Sequence, residues 1–407
     1  MLKSRNKTIY EALGREPVHP FPARMAPDIA LQVISQAEKS RVLDPMMGSG
    51  TVLAMARAQG HRGLGFDIDP LAVLISKVWT TAMDQKEIRD QATNVLQTAF
   101  KEHKNITQAD AYPEGTDEET RQFLRYWFDG NARRQLTALS MAIRSLQSET
   151  TRNALWCSFS RLIISKQSGA SRAMDLSHSR PHRAFKTAPG KPFNKFLPAV
   201  ERVVTNGIDK RAADRGPAPT VRIGDARRLP LPDRSVDLVL TSPPYLNAID
   251  YIRCSKFSLV WMDYKIGDLR DVRTNSVGTE AGGALLDGDN EIRCIVDALN
   301  LQPRLAQRNE RILAKYVHDM HETIFEVERV LSRGGKAVYV VGENTLRGTY
   351  IRTSVIVTKL AELAGLSLTE QRTRMLPANR RYMPPPSSAQ GAMDARMSRE
   401  VVLTFVK

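Results

Sequence analysis

Cysteine is scarce in this chain, and its spacing excludes two common uses of the residue. Cys157, Cys254 and Cys294 are odd in number and far apart, and no CxxC pair occurs. This argues against a disulfide framework and against a thiolate metal site, and it is typical of a reducing compartment such as the cytoplasm. His178 and His182 have i, i+4 spacing but no further Cys or His pair beside them, so we expect no metal site.

Long apolar runs are also missing. No uninterrupted apolar segment approaches the roughly 20 residues that a membrane helix requires. The first residues, MLKSRNKTIYEALGREP, lack the apolar centre of a signal peptide. The sequence therefore predicts neither a membrane anchor nor an export signal.

Acidic residues are outnumbered by basic ones. The 407 residues include 59 Lys and Arg against 44 Asp and Glu, which gives a formal net charge of +15. Such a surplus is common in proteins that bind polyanions, because phosphate contacts dominate that binding. We interpret the surplus as a sign of nucleic-acid binding; the alternative is a soluble protein that happens to be basic. The apolar fraction of 42% is ordinary for a globular core.

Two familiar nucleotide-binding motifs, GxGxxG and GxxxxGK[ST], are absent, but residues 41–70 carry a related pattern. They read RVLDPMMGSGTVLAMARAQGHRGLGFDIDP. The order is a strand ending at Asp44, a turn with Gly48 and Gly50, a helix, and a second strand with Asp67 and Asp69 at its C-terminal end. In a doubly wound sheet this order places a cofactor at the C-terminal strand ends. The alternative is an ordinary βαβ turn whose glycines serve only packing.

Later segments complete an α/β sheet. VRIGDA predicts a third strand with Asp225 at its tip, and VDLVL predicts a fourth. Asp67 and Asp225 could share one adenosine, with Asp67 on the ribose and Asp225 on the adenine amino group. Residues 312–331 show helical periodicity, and KAVYVVGEN, LSLTEQRTRML and EVVLTFV read as strands. The pattern predicts seven strands.

The fourth predicted strand leads into TSPPY at residues 241–245. Proline cannot donate to a β-ladder, so the strand should end at Thr241 or Ser242. The turn is rigid and presents an aromatic ring directly after the prolines. A bare β-turn with an exposed tyrosine is the alternative reading.

These motifs together resemble the amino-methylating DNA methyltransferases that use S-adenosylmethionine (SAM). DPMMGSGT resembles their DPxxGSGT motif, TSPPY resembles their catalytic tetrapeptide in its Ser-Pro-Pro-Tyr form, and HPFPARMAPDIALQVI resembles the segment that contacts the methionine end of the cofactor. The motifs stand in the family's order with the cofactor motif first, and the resemblance covers residues 17–82 and 219–350. It implies a Rossmann-like class I SAM methyltransferase fold with a seven-stranded, mostly parallel sheet and a largely helical insertion.

The resemblance also implies a chemistry and a set of site residues. An exocyclic amine is a poor nucleophile. It becomes more nucleophilic when its N–H groups donate hydrogen bonds to well-placed oxygens, such as those of Ser242 and Pro243. Tyr245 could stack on a base flipped out of its helix. No cysteine adjoins the turn, which disfavours the thiolate route to C5-cytosine. The expected catalytic residues are Ser242, Pro243, Pro244 and Tyr245, and the expected cofactor-binding residues are His19, Pro20, Asp44, Pro45, Gly48, Ser49, Gly50, Thr51, Asp67, Ile68, Asp225 and Ala226.

The expected activity is site-specific methylation of double-stranded DNA. In the resembled family, Ser at the first tetrapeptide position goes mostly with N4 of cytosine, and Asp or Asn goes mostly with N6 of adenine. N4-cytosine is therefore the preferred target, with N6-adenine second. An RNA base target and a non-catalytic subunit that binds SAM and DNA stay open as alternatives. A cognate restriction endonuclease or a defence-system protein is a further expected partner.

We expect three segments in the chain. Residues 1–84 and 216–407 form the two halves of the catalytic core, and residues 85–215 form a helical and basic insertion. The insertion is the first candidate for DNA target recognition. A second insertion, residues 253–311, is the other candidate.

Residues 165–196 are basic and irregular, with Phe185, Phe193 and Phe196 between the charges. This composition predicts a mobile loop that becomes ordered on phosphate; a solvated surface loop is the alternative. Residues 376–386, LPANRRYMPPP, form another basic aromatic loop. The expected DNA-binding residues are Arg172, Arg180, Arg183, Lys186, Lys191, Arg380 and Arg381.

Overall fold

The computed structural model describes most of the chain. Its ranges are 8–22, 24–165, 169–178, 181–211, 216–246, 250–279, 290–301, 305–346, 349–375 and 399–407. Three of the predicted DNA-binding residues, Arg180, Arg380 and Arg381, lie outside the described residues. Within these ranges, no helix combines the length and the apolar character needed to cross a membrane.

Strands occur throughout the described ranges and include several very short ones. They are β1 (Arg41–Asp44), β2 (Arg62–Asp67), β3 (Ala82–Met83), β4 (Ala173–Met174), β5 (His182–Arg183), β6 (Ile208–Asp209), β7 (Thr220–Ile223), β8 (Val236–Thr241), β9 (Leu331–Gly342), β10 (Asn344–Leu346), β11 (Thr349–Ile351), β12 (Ser367–Met375) and β13 (Arg399–Val406).

Helices flank these strands, and a 3₁₀ helix covers Leu176–His178. The α-helices of the described ranges are α1 (Ile9–Leu13), α2 (Pro27–Ser35), α3 (Thr51–Ala58), α4 (Pro70–Thr80), α5 (Gln85–Glu102), α6 (Glu118–Trp127), α7 (Gly130–Arg144), α8 (Glu149–Ile163), α9 (Pro192–Asn206), α10 (Ile252–Leu259), α11 (Ile266–Asn275), α12 (Asn290–Ala298), α13 (Gln307–Val330) and α14 (Thr353–Leu363).

The predicted seven-stranded, mostly parallel Rossmann-like sheet is confirmed. Its strand order is β12-β13-β9-β8-β1-β2-β7. Strand β1 pairs in parallel with both β2 and β8, while β13 is antiparallel to β9 and β12. The chain order reverses on either side of β1, and ligands of such sheets bind at the carboxyl ends of the strands beside this reversal. The sheet therefore brings the ends of β1, β2 and β8 to one crevice.

Both faces of the sheet are covered, which explains the apolar runs in the central strands. In β9, Val338 and Val340 pack with residues of α2 and α3, while Ala337 and Tyr339 pack with residues of α13 and α14. Successive side chains of a strand point to opposite faces, so each face receives every second residue. Each fully buried aliphatic side chain contributes roughly 1.5–3 kcal/mol, and the two covered faces hold the strand ends in place.

The segment between β3 and β6 contributes to a third hydrophobic core, in addition to the clusters on the two faces of the sheet. Helices α5 to α9 contribute buried residues to one cluster together with α4, α10 and α11. The short strands β3 and β6 pair in parallel, with Ala82 opposite Ile208, and so bring the two ends of this segment together. The helical content of the predicted insertion is confirmed, whereas the proposed domain limits stay a prediction.

One part of the sequence interpretation is wrong. Residues 192–196 were expected to belong to an irregular basic loop, but they begin helix α9. Phe193 and Phe196 are 5% and 0% exposed and lie in the helical core, so they do not interleave with basic side chains on a mobile loop. Proline is well tolerated in the first helical turn, where its missing N–H costs nothing, and Pro192 occupies that turn.

Candidate active site

The turn after β1 packs closely against neighbouring elements. The Met47 amide donates to the Phe66 carbonyl at 3.0 Å, and the Gly50 amide donates to the Met47 carbonyl at 2.8 Å. Gly50 has a φ of 84°, and a Cβ there would lie 2.3 Å from the Ser76 hydroxyl oxygen. Only glycine combines that backbone conformation with so little space. The turn is thus fixed against β2 and α4.

Asp67 lies at the end of β2 and contacts this turn. Its carboxylate accepts hydrogen bonds from the Gly48 amide at 2.8 Å and from the Asp69 amide at 2.9 Å. Burial raises the pKa of Asp67, and the amide hydrogen bonds oppose that effect. The side chain is half-buried, so the carboxylate keeps a face that a ligand could reach. A carboxylate has more acceptor positions than these two bonds use.

Asp44 joins the cofactor turn to the catalytic turn. Its Oδ1 atom accepts a hydrogen bond of 2.8 Å from the Thr241 hydroxyl and one of 3.2 Å from the Met46 amide. Asp44 and Thr241 are 3% and 0% exposed. Burial raises the pKa of Asp44 to about 7, because an apolar environment disfavours the ionised carboxylate. TSPPY and DPMMGSGT are therefore adjacent in space, as their positions at neighbouring strand ends predict.

Asp69 is an acid of the site that the sequence interpretation did not include. Its Oδ1 atom accepts a 2.9 Å hydrogen bond from the Leu71 amide at the start of α4, and its Oδ2 atom accepts a 2.5 Å bond from the Ser255 hydroxyl of α10. Burial raises its pKa to about 7. An Asp before Pro70 is a signal for a helix N-cap, which would have identified the first contact. The second contact ties α10 to the end of β2.

The N-terminal segment lies over the glycine turn. The Phe21 ring stacks on Tyr251, with centroids 5.5 Å apart, and lies 3.3 Å from the position of a Cβ on Gly48. Arg24 donates from Nε to the Ser49 hydroxyl at 3.0 Å. These contacts place the HPFPAR segment beside the predicted cofactor turn.

His19 and Pro20 contribute to the site in different ways. His19 is buried, and its Nε2 atom forms a 2.9 Å hydrogen bond with the Ser160 hydroxyl of α8. Burial, with help from Arg161 and Arg24, lowers the pKa of His19 well below its usual value, so the ring is neutral. The His19 side chain therefore anchors the segment to the insertion. Pro20 lines a small apolar pocket together with Phe21, Leu71, Leu176 and Tyr251.

Asp225 follows β7 and is held by its neighbour Arg227. The guanidinium donates to both carboxylate oxygens, at 3.0 Å from Nε and 2.7 Å from Nη2, and its Nη1 atom lies 2.9 Å from Asp319 of α13. Burial raises the pKa of Asp225, but the hydrogen bonds from Arg227 outweigh that effect and the net shift is downwards. Asp225 is thus an oriented, ionised carboxylate. The Gly224 amide donates to the Asp67 carbonyl at 3.0 Å, which keeps the two strand tips adjacent.

The remaining predicted cofactor residues belong to the same turns. Ser49, Thr51 and Ala226 are 3%, 4% and 4% exposed; the Ser49 hydroxyl accepts from Arg24, whereas the buried Thr51 hydroxyl has no hydrogen-bond partner among the described residues. The structure brings all the predicted cofactor positions to one edge of the sheet; their role in binding stays a prediction. Two further predicted cofactor-binding residues are Pro45, which is buried, and Ile68, which is half-buried.

The catalytic turn is anchored at both ends. Thr241 binds Asp44 as described, and Pro243 is buried, while Ser242, Pro244 and Tyr245 are half-buried. The Tyr245 hydroxyl donates to the Glu400 carboxylate of β13 at 3.0 Å. Glu400 is a second acid that the sequence interpretation missed, because nothing local in the sequence links it to TSPPY.

The basic side chains of the insertion differ in their environments. Arg172 donates from Nη1 to the carbonyls of Arg125 and Tyr126, at 3.3 Å and 3.4 Å, so it serves at least partly to fix the end of α6. Arg183 is exposed and lies over the Tyr126 ring at 5.0 Å. Lys186 and Lys191 are exposed. The last three can reach a phosphate without losing a structural contact to a carbonyl.

The chain is similar in sequence to Type II methyltransferases over most of its length. No family model matches the chain. The chain is 24% identical over 417 residues to the Type II methyltransferase M.MvaI of Kocuria varians, covering 95% of this chain and 89% of that protein. It is 22% identical over 376 residues to the Type II methyltransferase M.BsoBI of Geobacillus stearothermophilus, covering 80% and 72%. Among solved structures, a SAM-dependent methyltransferase from Methanosarcina mazei is 8% identical and covers 92% of this chain and 96% of that chain, with a TM-score of 0.34.

Proposed function

We propose that this protein transfers the methyl group of SAM to an exocyclic amine of a base in double-stranded DNA, with N4 of cytosine as the preferred target. One observation carries the proposal: the 2.8 Å hydrogen bond between Thr241 and Asp44. It places a Ser-Pro-Pro-Tyr turn directly beside a glycine turn that can hold a cofactor. The similarity to two Type II methyltransferases over most of the chain supports the same activity.

The residues of the site divide between holding the cofactor and holding the amine. SAM would supply an electrophilic methyl group on a positively charged sulfur. Asp67 and Asp225 would accept hydrogen bonds from the ribose and the adenine. The Ser242 hydroxyl and the Pro243 carbonyl would accept the N–H groups of the target amine and thereby hold its lone pair towards the methyl group. Because the amine attacks directly, no enzyme nucleophile is required.

The proposed choice of base rests on the first residue of the tetrapeptide. Ser242 occupies the position that is mostly Ser in enzymes of the resembled family acting on N4 of cytosine. N6 of adenine is the second candidate, since both bases offer an amine next to a ring nitrogen. A cognate restriction endonuclease remains a proposed partner on the basis of the same resemblance.

Asp67→Ala should weaken the binding of SAM. The substitution leaves a partly buried hydrogen-bonding group of the ligand unpaired, which costs about 1–3 kcal/mol. Calorimetry on the wild type and the variant would measure the change in Kd. Glu362→Ala is a control, because this exposed acid lies in the last turn of α14, which packs against α13, β9, β12 and β13. Equal SAM affinity in Asp67→Ala, with the fold intact, would remove Asp67 from the site.

The affinity for SAM should also rise with pH up to about 7. Burial keeps Asp44 protonated in the free protein below that pH, and a cationic ligand favours the ionised carboxylate, so binding releases a proton. Below the pKa, affinity should rise by up to about tenfold per pH unit. Asp44→Asn should flatten this dependence. An unchanged pH profile in Asp44→Asn would show that another group, such as Asp69, carries it.

The same shift in the pKa of Asp44 has a consequence for stability. The unfolded chain releases this proton near 3.8 and the folded chain releases it near 7. Between these values the folded state binds more protons than the unfolded state, so this carboxyl makes the protein less stable as the pH rises. A bound cation beside Asp44 would offset part of that cost.

Neutralising the exposed basic residues of the insertion should flatten the salt dependence of DNA binding. The proposed variant combines Arg183→Gln, Lys186→Gln and Lys191→Gln. Each lost phosphate contact should reduce the slope of log affinity against log salt by about 0.9. Fluorescence anisotropy with duplex DNA at several salt concentrations would measure the slope.

A charge-matched control separates phosphate contact from net charge. Arg234, Arg333 and Lys336 are exposed and lie at the N-terminal ends of β8 and β9, at the opposite edge of the sheet from the site. Replacing these three by Gln should leave the slope close to that of the wild type. Equal slopes for both triple variants and the wild type would place the DNA away from the insertion.

A further inference from the structure

The catalytic tyrosine is connected to a buried ion-pair cluster on the C-terminal strands. Tyr245 donates to Glu400, whose side chain is 12% exposed and lies 3.6 Å from Arg374. Arg374 is 16% exposed and also lies 3.5 Å from Asp28 of α2. Arg374 on β12 and Glu400 on β13 are directly opposite in the antiparallel register. The cluster therefore joins TSPPY, α2 and both C-terminal strands.

Placing the Glu400 carboxylate in this largely buried position costs hydration free energy. A carboxylate buried this deeply is unfavourable unless a positive charge and hydrogen bonds compensate for its lost hydration. Arg374 supplies the charge and Tyr245 supplies a hydrogen bond. A hydrogen bond from a hydroxyl to a carboxylate is roughly twice as strong as one between neutral groups. Glu400 is thus a strong acceptor, aimed at the phenol of the tetrapeptide.

The bond to Glu400 also fixes the phenol of Tyr245. Burial, followed by the charge of Glu400, raises the pKa of Tyr245 well above its usual value, so the phenol keeps its proton and donates a hydrogen bond to Glu400. The Ser-Pro-Pro turn holds the other end of this residue through the backbone. The Tyr245 ring is therefore anchored at its hydroxyl as well as at its backbone.

We propose that Glu400 is a positioning residue for the transfer reaction: through the phenol it holds the Tyr245 ring in the orientation in which it stacks on the flipped target base. This inference rests on the proposed function of the site. Glu400 need not contact the DNA or the cofactor. Its effect passes through the Tyr245 hydroxyl, and Arg374 supplies the positive charge beside its carboxylate.

The variants Glu400→Leu, Glu400→Gln and Tyr245→Phe test this arrangement. Glu400→Leu removes the acceptor at similar size, Glu400→Gln keeps a carbonyl oxygen that can accept from Tyr245, and Tyr245→Phe removes the same hydrogen bond from the other side. We expect kcat to fall about tenfold in Glu400→Leu and in Tyr245→Phe, with the Kd for SAM unchanged, and to recover largely in Glu400→Gln. Glu370→Ala, an exposed acid on β12, is the matched control and should keep full activity.

The double variant Tyr245→Phe/Glu400→Leu separates positioning from general support of the sheet. If Glu400 acts through the phenol, the double variant should be no slower than either single variant, because the same bond is lost. Losses that multiply, or full activity in Tyr245→Phe, would overturn the inference. If Glu400→Leu does not fold, the activity of Tyr245→Phe alone tests the inference. Absence of methyl transfer by the wild type would overturn the proposed function together with this inference, whereas an active wild type with a fully active Glu400→Leu would overturn the inference alone.

Discussion

Ser242→Ala should lower the rate of methyl transfer by about 10²–10³-fold while SAM still binds with its normal Kd. The substitution removes one of the two oxygens expected to hold the amine in the transition state, and loss of one such preorganised group has an effect of this size. The Ser242 side chain takes no part in the link between the two turns, which Thr241 makes to Asp44. The measurement is transfer of labelled methyl to duplex DNA at saturating SAM.

A control on the same strand makes this result specific. Ser235 precedes β8 at its opposite end and donates to the Pro232 carbonyl. Ser235→Ala should keep normal turnover and normal SAM affinity. Full activity in Ser242→Ala would mean that the TSPPY turn is only scaffold and that the chemistry lies elsewhere.

Tyr245→Ala should lower activity by about ten- to a hundredfold at limiting DNA. Stacking of a base on an aromatic side chain is worth about 1–3 kcal/mol, and the alanine variant also loses the bond to Glu400. Base flipping can be followed with 2-aminopurine at the target position, whose fluorescence rises on unstacking. The fluorescence change should weaken in the variant.

The control for this prediction is another partly exposed tyrosine. Tyr10 lies on α1, is 58% exposed and does not belong to the candidate site. Tyr10→Ala should therefore behave as the wild type in both assays. If Tyr245→Ala keeps wild-type activity and the wild-type fluorescence change, the tyrosine does not contact the flipped base.

The sheet and the motif positions were predictable because local sequence determines them. Buried strands such as β8 read as short apolar runs, and the glycines of the turn after Asp44 mark where the backbone must approach another element. Both motifs end a strand, and parallel strands bring their C-terminal ends to one edge. These features predict that both motifs lie at the same end of the sheet, whereas the direct contact of Thr241 with Asp44 also requires the pairing of β8 with β1.

Other parts of the site depend on strand order and packing, which a single sequence does not contain. Glu400 meets Tyr245 across 155 positions because β13 inserts between β9 and β12. Stacking on a base needs only the π-face of Tyr245, so the sequence alone predicts that Tyr245→Phe keeps much of the activity. The bond to Glu400 changes that expectation to a loss of about tenfold.

The insertion shows a different limit of sequence interpretation. The prolines and basic residues around 186–198 conceal the apolar positions of α9, although Phe193, Phe196, Val200 and Val203 follow helical spacing. The composition suggested a loop, while burial against α5, α7 and α8 makes the segment a helix. Tertiary packing outweighed the local signal.

The most direct measurement is the chemical identity of the product. The purified protein would be incubated with labelled SAM and duplex DNA, and the digested nucleosides would be separated so that N4-methylcytosine, N6-methyladenine and C5-methylcytosine are resolved. We predict label in N4-methylcytosine with the wild type and almost none with Ser242→Ala. Label in N6-methyladenine would keep the amine chemistry and change the target base. Label in C5-methylcytosine, or none in DNA while SAM still binds, would contradict the proposed function.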